Sequence, residues 1–318
     1  MPFQTYFGDK KYNWVNIDMD KSEKQDDVYQ RYGIDDEVIA YSLDRNERAH
    51  FEYDQKTDTF VLVFNVPDQR KIDNHHETIP MVFMIKGRQL ITLTNKNNQY
   101  IIQKMQKHLE DNTEMTIHQF LFSSLYIIMD SFFPYVEEMN IDRKTINDKL
   151  KIKTTKKNLL SLSDLETGIV YFVSASKQNA ALLEQMKAHM VYRGLNEVEK
   201  EQFEDALIEA RQLVEMTDLS SQILQQLSGT YNNILNNNLN DTMKILTALS
   251  ILLTVPTIIT GFFGMNMPLP LEHNAFGWMV TIFISINFVV WTFICFTKIN
   301  EVAKKGTPHD AEYLFLIK

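Results

Sequence analysis

Two uncharged, apolar runs near the C-terminus constrain the fold more than any other feature of the sequence. They cover residues 245–263 and 278–296 and contain no charged side chain. As helix, 19 residues reach about 28 Å, close to the roughly 30 Å hydrocarbon core of a bilayer. A buried helix of a soluble protein can be as apolar, but two such runs one short loop apart predict two membrane-spanning helices.

The charges that flank these runs predict the orientation of the chain. The loop between them, residues 264–277, carries Glu272 and neither lysine nor arginine. Lysines stand at the other ends of the runs, at Lys244, Lys298, Lys304 and Lys305. Because positive residues are retained on the cytoplasmic side, we expect a multi-pass protein of the cytoplasmic (inner or plasma) membrane. Both termini should lie in the cytoplasm and the loop outside.

The charge balance of the 318-residue chain limits its partners. Lysine and arginine number 32 against 41 aspartates and glutamates, a formal charge of −9. No basic stripe is available to neutralise phosphates, so nucleic acid is not expected as a partner. Membrane lipid is expected as a partner because of the two predicted spans. An acidic chain suits a protein that attracts cations, although acidic surfaces also serve solubility. The single cysteine, Cys295, lies in the second apolar run and predicts neither a disulfide nor a thiolate metal site.

Catalytic motifs are absent from the sequence. There is no nucleophile elbow, phosphate-binding loop or zinc-enzyme signature, so we do not expect an enzyme. The run His75-His76-Glu77 suggests a metal site, but adjacent residues cannot share one face of a helix or strand. We therefore interpret it as a solvated loop. His108 and His118 are isolated in a helical region and are interpreted as surface or packing residues.

Hydrophobic patterning divides the remaining chain into a mixed and a helical part. Strands are predicted at 14–19, 49–53, 60–66, 80–85 and 89–94, and short helices at 20–32 and 35–43. Long helices are predicted at 116–150, 156–193 and 196–263. The expected organisation is a cytoplasmic α/β domain (1–112), long antiparallel helices (113–195), a stalk helix continuing into the first span (196–263), an outer loop (264–277), the second span (278–297) and a basic tail (298–318). We assign no role to residues 306–318.

A polar seam follows the predicted stalk helix where a coiled coil would be apolar. The a and d heptad positions are Asn233, Asn236, Asn240, Met243, Thr247, Ser250, Thr254, Thr257 and Gly261, and eight of the nine are polar or glycine. Polar residues in a membrane helix face a bundle interior or water. Tight packing through small residues also gathers serine, threonine and glycine. The asparagines below the membrane favour a pore, because small-residue packing needs no carboxamides.

The first apolar run ends on Gly261-Phe262-Phe263-Gly264-Met265-Asn266, followed by a short loop and one more span. In this position the Gly-Met-Asn triplet resembles the signature of the CorA family of divalent-cation channels. The resemblance implies an α+β cytoplasmic domain with long helices, two C-terminal transmembrane helices and a funnel-shaped homopentamer. It implies influx of hydrated divalent cations, chiefly Mg²⁺ and also Co²⁺, with Ni²⁺ a further candidate. Mg²⁺ would be both the substrate and a regulatory ligand.

The resemblance also implies roles for individual residues. Gly264, Met265 and Asn266 would bind hydrated Mg²⁺ at the outer mouth, where Glu272 would concentrate cations. Asn240 would form a polar ring deeper in the pore, and Met243 and Leu246 a hydrophobic constriction. Inhibitory cytoplasmic Mg²⁺ would bind carboxylates between neighbouring subunits, for which Asp205 and its possible partner Asp68 are the candidates.

Two features depart from the family pattern or separate its branches. Ser250 and Thr254 stand where well-studied members carry apolar pore residues, which predicts a shorter, leakier or differently placed gate. Residues 267–272 lack the glycine-rich continuation associated with the zinc-exporting branch, which favours magnesium and cobalt. A zinc transporter of the same family and a membrane-anchored scaffold or sensor remain the alternatives. The seam and the triplet count against a simple anchor, because an anchor needs neither.

Overall fold

The fold comprises two compact units, Met1–Gly229 and Thr230–Lys318. The computed structural model describes residues 2–20, 25–265 and 276–305. The first unit is an α+β structure, as the sequence predicts. The second contains two long apolar helices near the C-terminus.

One mixed sheet forms the centre of the first unit. Its strands are β1 (Phe3–Phe7), β2 (Tyr12–Asp18), β3 (His50–Asp54), β4 (Thr59–Ile72), β5 (His75–Lys86) and β6 (Gln89–Thr94). They lie in the order β1-β2-β6-β5-β4-β3. Among these strands β2 and β6 pair in parallel and all other neighbours are antiparallel. The strands predicted at 80–85 and 89–94 form an antiparallel hairpin, in which Lys86 pairs with Gln89.

Strand β4 is buried on both faces of the sheet. Alternate residues of a strand point to opposite faces, so Val61 and Val63 of β4 join one core with Val38 of helix α2 (Asp36–Leu43). Phe60, Leu62 and Phe64 point to the other face and are also buried. This arrangement explains why β4 is a nearly continuous apolar run and not an alternating one.

The remaining regular elements of the described chain are helices. Besides α2 they are α1 (Gln25–Tyr32), α3 (Gln99–Asp111), α4 (Ile117–Asp130), α5 (Phe133–Ile152), α6 (Lys156–Ala188), α7 (Met190–Arg193), α8 (Glu197–Phe263) and α9 (Gly277–Lys305). A capping box at α4 joins Thr116 and Gln119, each side chain accepting from the other's backbone N–H. The breaks predicted near residues 151–155 and at Gly194 are confirmed, because α5 ends at Ile152 and α7 at Arg193.

Several predicted elements are wrong in extent. The single helix predicted at 116–150 is two helices, because α5 begins with Pro134 in its first turn and proline cannot continue the preceding helix. The predicted helix 156–193 ends at Ala188, and β4 continues to Ile72 instead of ending at residue 66. Strand β1 and helix α3 were not among the predicted elements.

The interpretation of residues 75–77 as a solvated loop is also wrong. They begin β5, and His76 is only 4% exposed. Burial lowers the pKa of His76, with a smaller contribution from the nearby Lys71 ammonium. The alternation of a strand still places His75 and His76 on opposite faces.

A buried hydroxyl pair links α6 to α8 within the first unit. The oxygens of Ser176 and Thr217 lie 3.0 Å apart, and both residues are fully buried. We expect Ser176→Ala to lower the free energy of unfolding of this unit by about 1 kcal/mol, since one buried hydrogen bond is lost. Thermal unfolding followed by circular dichroism measures the change. Ser174→Ala, at an exposed position on α6, is the control, and an equal shift in both variants would contradict the assignment.

Candidate functional site

The polar seam lies on an exposed face of α8. Every seam residue is exposed, as is Leu246, which lies beside the seam. The seam comprises Asn233, Asn236, Asn240, Met243, Thr247, Ser250, Thr254, Thr257 and Gly261. A groove of about 370 Å³ follows its middle part, lined by Leu246, Thr247, Ser250, Ile251, Thr254 and Val255. In a single chain the seam is therefore free to face other molecules.

The opposite side of α8 is less exposed than the seam. A stripe of partly covered residues consists of Ala248, Leu252, Val255, Ile259 and Phe263. At about 100° per residue, Leu252 and Ile259 project roughly opposite to Ser250 and Gly261. The polar face is exposed in the single chain together with apolar residues such as Leu253 and Ile258, and only a narrow apolar stripe is partly covered.

The seam hydroxyls use their hydrogens within the helix. Thr247 donates to the Met243 carbonyl at 2.9 Å, Ser250 to that of Leu246 at 2.9 Å and Thr254 to that of Ser250 at 2.7 Å. Each hydroxyl then offers its remaining lone pairs outward as a hydrogen-bond acceptor. Water bound to a cation presents its hydrogens, so this face suits a hydrated cation.

Part of the Gly-Met-Asn signature closes α8. The Gly264 N–H donates to the Thr260 carbonyl at 2.9 Å, and the Met265 N–H donates to the Phe262 carbonyl at 3.4 Å. A Cβ at Gly264 would lie 3.1 Å from the Thr260 oxygen, tighter than most real contacts, so glycine allows this close turn. Met265 is 44% exposed. Asn266 and Glu272 lie outside the described residues.

Asp205 lies at a cavity of the first unit. The cavity has a volume of about 610 Å³ and is lined by His108, Ser123, Tyr126, Ile127, Gln202, Asp205, Ile208 and Glu209. Asp205 itself is exposed. The sequence prediction missed Glu209, although it follows Asp205 by one helical turn on α8 and therefore shares its face. His108, interpreted as a surface or packing residue, also lines the cavity.

The cavity is acidic, and two of its buried polar atoms lack a hydrogen-bond partner. Burial raises the pKa of Glu209, and the neighbouring Asp130 raises it further. The pKa of Tyr126 is raised chiefly by Glu209 and also by burial, Asp130 and Asp205. The Gln202 Oε1 and His108 Nε2 atoms are buried without a hydrogen-bond partner. Clustered negative charge of this kind favours a bound cation.

Asp68 occupies a different environment from Asp205. It lies within β4 and is fully buried. Its carboxylate accepts from Arg45 Nη2 at 3.1 Å, from the Arg70 backbone N–H at 2.9 Å and from Asn97 Nδ2 at 3.3 Å. A metal ion at Asp68 would have to displace Arg45. Asp68 is not among the residues that line the cavity of Asp205.

Two described helices are long and apolar enough to span a membrane, by length and composition. They are Glu197–Phe263 and Gly277–Ile294, and the most apolar part of each is unburied in the single chain. This finding agrees with the two predicted spans.

A protein family and its solved relatives match nearly the whole chain. The CorA-like Mg²⁺ transporter family model covers residues 9–298. The cobalt/magnesium transport protein CorA of Methanocaldococcus jannaschii is 23% identical over 295 residues, which is 91% of each chain. The complete structure of the CorA magnesium transporter from that organism superposes with a TM-score of 0.72 at 22% identity, over 93% of this chain and 92% of the other.

A more distant solved structure shares the fold of most of the chain. The ZntB cytoplasmic domain from Vibrio parahaemolyticus has a TM-score of 0.55 at 8% identity and covers 71% of this chain and 88% of its own. At that identity the likeness concerns the fold alone. The family match over residues 9–298 is the specific finding: this chain belongs to the CorA-like Mg²⁺ transporter family, whose members are membrane transporters of divalent cations.

Proposed function

We propose that the protein is a homopentameric channel for influx of hydrated Mg²⁺, with Co²⁺ as a second substrate. The observation that carries the proposal is the exposed seam of α8, which ends at the Gly-Met-Asn signature. A polar face directed at lipid is costly, so the seam calls for a water-filled axis shared between identical helices. In this arrangement α8 lies innermost, α9 lies outermost, and both termini face the cytoplasm.

Selection of the ion occurs at the outer mouth in this proposal. Mg²⁺ gives up its water reluctantly, so the mouth must bind the hydrated ion. Carboxamides of Asn266 and carbonyls of Gly264 and Met265 accept hydrogen bonds from its first-shell water. Neutral acceptors also let the ion leave again, as conduction requires. Glu272 raises the local cation concentration, an effect that salt screens.

The seam supplies the path and the gate. Acceptor oxygens of Thr247, Ser250 and Thr254 support the hydrated ion, and Asn240 forms a deeper polar ring. Met243 and Leu246 form the apolar constriction, which closes by losing its water. Since Ser250 and Thr254 extend the polar stretch, the apolar gate is short.

Uptake into proteoliposomes tests the function. With an inside-negative potential, we expect Mg²⁺ to enter vesicles that contain the full-length protein, as read by a trapped Mg²⁺ indicator. Co²⁺ should compete with it, whereas empty vesicles should remain flat. Uptake of Zn²⁺ without Mg²⁺ would establish the zinc alternative instead. Absence of any metal uptake would overturn the proposal and leave a membrane-anchored scaffold or sensor.

The assembly can be tested separately. We expect native mass spectrometry in mild detergent to show a pentamer as the main species, since a polar seam that faced lipid would be costly. A monomer or dimer as the sole species would contradict a shared pore.

Regulation by cytoplasmic Mg²⁺ is assigned to the cavity of Asp205. Its exposed carboxylate, the neighbouring Glu209 and the unpartnered Gln202 oxygen form an acidic surface. A neighbouring subunit can complete the site with further acceptors. Asp68 is a weaker candidate, because Arg45 and Arg70 already neutralise it.

A further inference from the structure

We propose that His76, Glu138 and Asp142 form a binding site in the first unit for a divalent transition-metal ion of the Co²⁺ class. The site differs in position and in donor chemistry from the seam and from the cavity of Asp205. It concerns binding to the first unit and does not depend on the proposed channel activity.

The first observation is the state of the His76 imidazole. The residue is 4% exposed, Nδ1 has no hydrogen-bond partner, and Nε2 has only the Glu138 carboxylate near it, at 3.5 Å. Its ring lies edge-on to Tyr135 at 5.1 Å and tilted against Phe172 at 6.1 Å. A buried polar group without a partner is costly, and native proteins keep such groups where they serve a ligand, an ion or a reaction.

Helix α6 approaches the backbone of His76 closely. A Cβ at Gly168 would lie 3.2 Å from the His76 backbone nitrogen and 3.4 Å from its carbonyl oxygen. Because Gly168 has no side chain, α6 can approach the backbone of His76 this closely. The acidic groups that approach its ring come from α5.

The second observation is the spacing between the imidazole and α5. His76 Nε2 lies 3.5 Å from Glu138 Oε2. Two ligand atoms that each lie about 2.1 Å from one metal ion are roughly 3 to 3.5 Å apart. The pair is therefore spaced as two ligands of a common ion, and the half-exposed Glu138 side chain leaves a path from solvent.

The third observation is the cation that these carboxylates already hold. Lys71 Nζ lies 2.8 Å from Glu138 Oε1 and 3.7 Å from Asp142 Oδ2. Glu138 and Asp142 are one helical turn apart and share a face of α5. Asp142 thus lies against the ammonium. Among the described residues no three His, Cys, Asp or Glu side chains are already arranged to hold a metal ion, so the proposed site requires Lys71 to move away. The Lys71 side chain is 37% exposed and can turn into solvent, so a metal ion can replace it.

The donor set selects the class of metal. Imidazole nitrogen suits Co²⁺, Ni²⁺ and Zn²⁺, whereas Mg²⁺ prefers oxygen ligands. One imidazole and two carboxylates therefore distinguish a transition-metal ion from the more abundant Mg²⁺. His75 takes no part, because its ring stacks on Tyr171 at 5.8 Å and points to the other face of β5.

The test measures Co²⁺ binding to the purified full-length protein in excess Mg²⁺, by equilibrium dialysis and visible absorption. We expect one Co²⁺ per chain that Mg²⁺ does not displace. His76→Phe keeps the ring packing and removes both nitrogens, so it should weaken this binding at least about tenfold. His75→Phe is the matched control and should leave it unchanged.

Lys71→Met gives an independent readout of the same site. It keeps the aliphatic stem and removes the competing ammonium, so Co²⁺ should bind about tenfold more tightly. A purely structural role of the cluster would predict no gain of affinity. The proposal is overturned if the parent holds no Mg²⁺-resistant Co²⁺, if His76→Phe binds it like the parent, or if Lys71→Met leaves the affinity unchanged.

Discussion

Asn266→Ala should reduce Mg²⁺ flux about a hundredfold or more while expression and assembly survive. In the proposed pentamer the substitution removes the five carboxamides to which we assign hydrogen bonds from the water around the ion. Each such bond contributes about 0.5–1.5 kcal/mol, and about 1.4 kcal/mol corresponds to a factor of ten. Flux into proteoliposomes, normalised to the amount of pentamer, measures the effect.

The control is the same substitution at an exposed asparagine of α8. Asn238 is exposed and lies outside the seam, two residues after Asn236. Asn238→Ala should therefore conduct like the parent. Parental flux in Asn266→Ala would remove the selectivity role from the signature. An equal loss in both variants would point to a general effect of the substitutions on the protein.

The sequence predicts the membrane part of this protein better than its sheet. Apolar length is a local property of residues 245–263 and 278–296, so the two long apolar helices can be recognised without knowing the fold. The position of β1 depends on pairing with β2, and a five-residue edge strand such as Phe3–Phe7 carries little pattern of its own. Its existence follows from tertiary contacts that composition does not record.

Residues 67–77 show a second reason why sequence patterns fail. Polar residues after Val66 are typical of a loop, yet β4 and β5 continue through them as a paired ladder with a register shift between Pro67 and Lys71. Arg45 comes from a distant part of the chain and neutralises Asp68 and Glu77 there. The burial of His76 likewise depends on α5 and α6, which lie far along the sequence. Long-range charge pairing and packing thus override the local pattern.

The candidate site divides in the same way. The seam is a periodic feature of one helix, and its residues could all be named from the sequence. The cavity of Asp205 combines α3, α4 and α8, so only its α8 members were within reach of a periodicity argument. Glu209 satisfies that criterion, while the contribution of His108 required the fold.

Asp205→Asn should weaken inhibition by cytoplasmic Mg²⁺ and leave the pore intact. In the proposed closed state, bound Mg²⁺ offsets repulsion between carboxylates at the subunit boundary. When Mg²⁺ falls, like charges repel and the closed arrangement loses this stabilisation. A ligand shifts such an equilibrium only by its difference in affinity for the two states. Removing one carboxylate per subunit should therefore raise the half-inhibitory Mg²⁺ concentration about tenfold, within the usual range of coupling between sites.

Vesicles loaded with graded internal Mg²⁺ measure this shift. Maximal flux at low internal Mg²⁺ should equal that of the parent, since Asp205 precedes the seam by many turns of α8 and takes no part in the ion path. Glu215→Gln is the control, because Glu215 is exposed on the same helix and does not line the cavity. If Asp205→Asn and Glu215→Gln both follow the parental dependence on internal Mg²⁺, Asp205 is a surface acid. A selective shift in Asp205→Asn would show that Asp205 takes part in inhibition, and α8, which carries both Asp205 and the proposed constriction at Met243 and Leu246, is the element that we propose transmits the signal.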